Sequence, residues 1–147
     1  MSTAAAALLQ YRTWLVALTL FAEAAGEPIE GKLAVASVIW WRANGDPAQL
    51  ERVIRAPRQF SCWNRGTPPE PPPDEPSQRA WRHCKDIATN LAQGNFAPQL
   101  FADHYHATTL TPSPTWARQM QHVATIGGHA FYWEGRKPKP TNRKVNQ

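Results

Sequence analysis

Cysteine is scarce in this chain: Cys62 and Cys84 are the two examples among 147 residues. Two cysteines cannot build the disulfide framework that holds many small secreted domains together. They form either one bridge or two free thiols, and a bridge would close a loop of about 20 residues and stabilise the fold by about 3 kcal/mol. No Cys-x-x-Cys spacing occurs, so the sequence also argues against a structural zinc site.

A hydrophobic run long enough to span a membrane is also missing. The apolar stretch Trp14–Ala25 has 12 residues and is interrupted by Thr19 and Glu23, whereas a spanning helix needs about 20 residues. The apolar segment Ala4–Leu9 lacks a preceding basic region and is cut short at Gln10, which is not typical of a secretory signal. We therefore expect a buried core helix in a protein made in the cytoplasm.

Acidic residues are absent from the C-terminal segment Gly135–Gln147, which carries five Lys and Arg residues. The rest of the chain balances 11 basic against 11 acidic residues, so this segment supplies the whole formal charge of +5. We expect a flexible basic tail at 135–147. It is either a solubilising end or a contact for a polyanion such as nucleic acid, anionic lipid or the bacterial envelope.

Residues 1–134 have the length of a single domain, and no internal repeat divides them. Apolar periodicity and turn residues predict helices, and alternation rich in aromatics and threonine predicts strands. The predicted fold class is α+β and predominantly α, with a small antiparallel sheet of two strands. The helices are predicted at 5–25, 28–43, 47–55, 77–93 and 115–123, the proline-rich loop at 67–76, and the strands at 100–108 and 124–133.

One carboxylate stands out because of its apolar setting. Glu23 ends the first predicted helix, on a narrow polar stripe shared with Arg12 and Thr19. A charged group among apolar side chains costs free energy unless it is paired or protonated. Glu23 is therefore either neutralised structurally, by Arg12 or by backbone donors, or it is a general acid whose burial favours the protonated form.

Four stretches in order resemble the SleB-type cell wall hydrolases, a family of spore-cortex lytic enzymes and phage endolysins. The first is FAEAAGEPIEGKLAVASVIWWR, Phe21–Arg42, which resembles the family's opening motif. The others are QFSCW at Gln59–Trp63, HYH at His104–His106, and ATIGGHAFY at Ala124–Tyr132. The resemblance extends over about residues 15–132, and four ordered matches are more specific than any one of them.

This resemblance implies a lysozyme-like core of helices and an enzyme that cleaves peptidoglycan between N-acetylmuramic acid and N-acetylglucosamine. The implied chemistry is that of a lytic transglycosylase, in which Glu23 serves as both acid and base and leaves a 1,6-anhydro end. It further implies a phage endolysin that waits in the host cytoplasm until the membrane is permeabilised. We expect a monomer that needs no cofactor and binds glycan strands of peptidoglycan, with the tail in contact with the anionic envelope and no nucleic acid.

By position, the resemblance assigns further residues to substrate binding: Gln59, Phe60, Ser61, Trp63, His104, Tyr105 and His106. Neighbouring residues of a regular strand point to opposite faces, so Tyr105 and His106 cannot both face the sugar. Core packing is the alternative role for each of these side chains.

Three other mechanisms stay open at this point. A hydrolytic muramidase would need a second carboxylate, for which the candidates are Glu27, Glu30, Asp46 and Asp103. A zinc hydrolase would use His104, His106 and His129. A binding module without catalysis would act through the basic tail.

Overall fold

The computed structural model describes residues 1–57 and 59–134, and the predicted tail at 135–147 lies outside them. Within the described chain, helices come first and a three-stranded sheet follows. The elements are α1 (Thr3–Ala24), α2 (Ile29–Arg42), α3 (Leu50–Arg55), α4 (Glu75–Gln93), β1 (His104–Ala107), β2 (Gln121–Ile126) and β3 (His129–Trp133). The α+β class with a predominance of helix is confirmed.

Helix α1 lies in the centre of the helical part. Every residue from Leu15 to Leu20 is at most 1% exposed, and the helix packs against α4, α2 and α3. By length and apolar composition alone, α1 could also cross a membrane. The second half of α1 is buried and packs as a core helix. Glu23 lies in the last turn of α1.

Helix α2 follows after a short turn and is tightly packed. Ala34 to Ile39 are all buried, and the small side chains among them allow the neighbouring helices to approach closely. Ser37 lies in this buried stretch, and its Oγ accepts a hydrogen bond from the Gln99 backbone N–H at 2.9 Å. The chain that leads into the sheet is thereby attached to α2.

Helix α4 begins two residues earlier than the sequence suggested. Asp74 is the N-cap, and its carboxylate accepts from the Ser77 backbone N–H at 2.9 Å. Pro76 fits inside the first turn because that position needs no backbone N–H. The helix ends at Gly94, whose φ of 75° is left-handed, as is common at helix C-termini.

The sheet has three strands, not the two that were predicted. Its order is β1-β3-β2, and both pairings are antiparallel. Gly127 and Gly128 split the predicted strand 124–133 into a hairpin, because glycines at a two-residue turn allow the positive φ that such turns require. Gly127 has a φ of 56°. The predicted helix at 115–123 is a 3-10 turn over Thr115–Gln119 followed by β2.

The register of the sheet decides which side chains meet the helices. Tyr105 pairs with Phe131, and His106 pairs with Ala130. Directly opposite residues share a face, so Tyr105 and Phe131 lie on one face and His106 on the other. Phe131 is 0% exposed and belongs to the main core, which shows that the Tyr105 face is the one that packs against the helices.

Candidate active site

The carboxylate at the end of α1 meets the sheet through one side chain. The Tyr105 hydroxyl donates a hydrogen bond to Glu23 Oε1. Burial, the negative charge of Glu23 and this hydrogen bond together raise the pKa of Tyr105 well above its ordinary value. Tyr105 therefore stays protonated at neutral pH and remains a hydrogen-bond donor to Glu23.

A thiol lies in the electrostatic surroundings of the same carboxylate. Burial, and second the charge of Glu23, raise the pKa of the Cys62 thiol to about 12. Burial also raises the pKa of Cys84, to about 11. Both cysteines are free thiols, so the bridge considered from the sequence is not formed. Cys62 is a neutral, half-buried neighbour of the carboxylate and not a nucleophile.

Thr19, a second polar residue on the stripe of α1, fixes an indole ring. Thr19 is 0% exposed, and its Oγ1 donates to the Leu15 carbonyl and accepts from Trp63 Nε1, both at 2.8 Å. Trp63 is half-buried and contacts Trp14 edge to face, with the ring centroids 6.2 Å apart. Thr19 is one turn before Glu23, so Trp63 is held beside the acid as a rigid aromatic surface.

Arg42, which the sequence reasoning did not single out, ties two candidate segments together. Its Nη1 donates to Gln59 Oε1 at 2.7 Å and its Nε donates to the Asp103 carbonyl at 2.6 Å. Its guanidinium lies 5.5 Å from the centre of the Phe60 ring, and burial lowers its pKa. These contacts connect residues far apart in sequence, which is why no local pattern reveals them.

The segment Gln59–Trp63 is thus divided between surface and core. Gln59 and Ser61 are exposed and can contact a glycan. Phe60 is 1% exposed and lies in the main core, so its assignment to substrate binding is wrong. Its role is to support the segment from below.

The two histidines of the HYH motif do not share the face of Tyr105. His104 and His106 pack around Trp116, at 5.3 and 5.8 Å between ring centroids. His106 is 9% exposed, and its Nε2 lies 3.1 Å from the Tyr132 hydroxyl. The sheet therefore separates both rings from Glu23, as the strand alternation predicted for His106. Their assignment to substrate binding stays a prediction, and His104 lines a surface groove together with Arg42 and Gln59.

The same register removes the zinc hypothesis. His129 pairs with Ala107 and lies on the Tyr105 face, opposite His104 and His106. Across residues 1–57 and 59–134, no group of three His, Cys, Asp or Glu side chains could hold a metal ion.

The candidate second carboxylates are mostly engaged elsewhere. Glu27 accepts from the Gly128 backbone N–H at 2.8 Å, and Asp46 accepts from the Ala48 backbone N–H at 3.0 Å. Asp103 accepts from the Glu134 backbone N–H at 2.9 Å. Glu30 is exposed in the first turn of α2. Glu23 differs from Glu27, Asp46 and Asp103 in that its donor is a side-chain hydroxyl instead of a backbone N–H.

Comparisons with known proteins bear on the family and the fold of the chain. A family model described as Cell Wall Hydrolase matches residues 26–132. The catalytic domain of the germination-specific lytic transglycosylase SleB from Bacillus anthracis is 27% identical, with a TM-score of 0.61 over 84% of this chain and 94% of that chain. The catalytic domain of the Bacillus cereus SleB protein is 25% identical, with a TM-score of 0.57 over 84% and 90%. Among curated proteins, none matches.

Proposed function

The chain belongs to the cell wall hydrolase family, and we propose that it cleaves the β-1,4 bond between N-acetylmuramic acid and N-acetylglucosamine as a lytic transglycosylase. The observation that carries this proposal is the single carboxyl group of Glu23, placed at the end of a core helix with the Tyr105 hydroxyl donating to it. The Bacillus anthracis relative, described as a lytic transglycosylase, supports the same chemistry.

The reaction needs a proton donor because an alcohol is a poor leaving group. Protonated Glu23 gives its proton to the glycosidic oxygen, and the bond from that oxygen to C1 of the muramic residue breaks. The carboxylate then accepts the proton of the muramic C6 hydroxyl, whose oxygen bonds to C1. The product is a 1,6-anhydro ring, and Glu23 is protonated again.

The Tyr105 hydroxyl supplies a fixed hydrogen bond to Glu23 when the carboxylate is ionised, after it has given up its proton. A hydrogen bond to an ionised carboxylate is shorter and stronger than one between neutral groups. The hydroxyl therefore stabilises Glu23 most after it has donated its proton. Because Tyr105 is held on the inner face of β1 against Phe131, at 5.6 Å between ring centroids, no rearrangement is needed to supply that bond.

The hydrolytic alternative requires a base to activate water across the sugar ring. Glu27, Asp46 and Asp103 each accept a hydrogen bond from the backbone N–H of another residue. Because these carboxylates are already engaged, the transglycosylase mechanism is favoured. The muramic hydroxyl is part of the substrate, so one carboxylate suffices.

In biological terms, we propose a phage endolysin that stays in the host cytoplasm and reaches the wall after membrane permeabilisation. The basic segment 135–147, which holds the entire net charge of +5, would contact the anionic envelope. A monomer would suffice, since Glu23 and Tyr105 come from one chain.

The test is digestion of purified sacculi followed by mass spectrometry of the released muropeptides. The wild-type protein should give 1,6-anhydro ends, and Glu23→Gln, with its fold verified by circular dichroism, should lose at least about 100-fold in rate, which is the usual scale for a general acid. Reducing muramic ends would establish hydrolysis instead. Intact glycan strands with cut stem peptides would refute both mechanisms.

A further inference from the structure

A second glutamate of the opening motif, Glu27, is partly buried against the sheet. Glu27 could have capped α2, yet that helix has no side-chain cap. Its side chain is 20% exposed and reaches across to the β2–β3 hairpin, where Oε1 accepts from the Gly128 N–H at 2.8 Å. The main chain at Glu27 is fixed as well, because the Lys32 ammonium donates to its carbonyl and Lys32 is 4% exposed.

Three glycines make room for this carboxylate. A Cβ at Gly127 would lie 2.1 Å from Glu27 Oε1, and one at Gly128 would lie 3.2 Å from Oε2. A Cβ at Gly31, one turn into α2, would lie 2.8 Å from the Cβ of Glu27. The close approach of the Glu27 side chain thus depends on glycine at 31 in the helix and at 127 in the turn.

The β2–β3 hairpin connects the Glu27 carboxylate with Tyr105 and Glu23 through one side chain. His129 follows Gly128, and its Nδ1 is buried without a hydrogen-bond partner among the described residues, 3.9 Å from Glu27 Oε1. The His129 ring contacts the Tyr105 ring edge to face, with centroids 5.0 Å apart. Tyr105 in turn donates to Glu23.

We propose that Glu27 is a positioning residue for the reaction. It fixes the β2–β3 turn to the start of α2, and through His129 it sets the ring of Tyr105 so that the hydroxyl meets Glu23. Glu27 itself does not touch the substrate. The inference rests on the proposed function, because wall cleavage is its readout.

The first experiment compares three variants on purified sacculi over a range of concentrations. Glu27→Ala should lower kcat about 10- to 100-fold, the usual loss when a catalytic group is misplaced by about 1 Å, while the half-saturating sacculus concentration stays within about twofold. Glu27→Gln keeps an acceptor oxygen for Gly128 and should stay within about fivefold of wild type. Asp86→Asn, an exposed carboxylate change on α4, should equal wild type.

The second experiment asks whether Glu27 acts through Tyr105. Tyr105→Phe removes the hydroxyl, so Glu27→Ala should cost no more than about threefold further in that background, since coupled residues are not additive. Losses that multiply in full would overturn the proposal, as would a rise in half-saturating concentration with kcat unchanged. If Glu27→Ala does not fold, Gly128→Ala, which crowds Oε2, replaces it in the same cycle.

These outcomes separate the inference from the function on which it rests. An inactive Glu23→Gln together with a fully active Glu27→Ala would refute the positioning role and leave the transglycosylase proposal intact. An active Glu23→Gln would refute both.

Discussion

The bond between Thr19 and Trp63 offers the sharpest test of how α1 builds the site. Thr19→Val keeps the shape of a side chain that is 0% exposed but removes the acceptor of Trp63 Nε1, which lies 2.8 Å away. The bond from Thr19 to the Leu15 carbonyl is lost as well, although that carbonyl remains inside a helix. The variant therefore isolates the indole as the group left without a partner.

The expected cost follows from leaving a donor unpaired. A buried N–H without an acceptor costs about 1–3 kcal/mol, and the half-buried position of Trp63 allows water to recover part of this. We expect a loss of about 1–2 kcal/mol, which for a domain of this size lowers Tm by about 3–6 °C. The half-saturating sacculus concentration should also rise, because the ring beside Glu23 is no longer fixed.

Calorimetry of four variants and the wild type checks the reasoning. Thr89→Val is the matched control, because Thr89 makes the same bond to the carbonyl four residues earlier, at 2.8 Å, from the outer part of α4. Trp63→Phe and the double variant Thr19→Val/Trp63→Phe complete a cycle whose coupling should be about 1 kcal/mol. Equal losses for Thr19→Val and Thr89→Val, or strictly additive losses in the cycle, would refute the account.

Three further predictions concern stability. Arg42→Lys should lose about 1–3 kcal/mol in urea unfolding, because an ammonium cannot reproduce the fork that joins Gln59 to the start of β1; an unchanged midpoint would contradict this. Since burial raises the pKa of Cys84 to about 11, stability should fall as the pH rises above about 9, and Cys84→Ala should flatten that fall; an equal slope in both proteins would count against it. The pKa of Asp74 is lowered by hydrogen bonds from Ser77, so the cap stabilises the fold while the carboxylate is ionised and loses that contribution as the pH falls through the lowered pKa. Asp74→Ala should therefore lower Tm at neutral pH, and by less as the solution is made more acidic; an equal effect at every pH would exclude a charged cap.

Local patterns account for much of the helical part. The apolar run of α1 and the Gly26-Glu27-Pro28 turn after it are features of neighbouring residues, and they place both ends of the helix within two residues. The position of Glu23 at the end of a core helix follows from the same local signals. The alternation of β1 likewise separates Tyr105 from His106 before any coordinates are known.

The contacts that complete the site are long-range and leave no local trace. Arg42 meets Asp103 across 61 residues, and Gly128 meets Glu27 across 101. The paired glycines at 127 and 128 indicate a hairpin, but the aromatic alternation on either side predicts one continuous strand. A motif match gives a residue's place in the chain but not its burial. For this reason the sequence does not show that the Phe60 ring points into the core.

The register of β1 against β3 also constrains how the gene can change. Deleting the codon just before Tyr105 would turn every following side chain of β1 over, so that the imidazole of His106 instead of the phenol would face Glu23. A substitution in β1 therefore changes one side chain, whereas the gain or loss of one residue changes the face of every side chain that follows. The exposed proline stretch at 69–73 has no such partner strand, and homologues should differ in length there and not in β1.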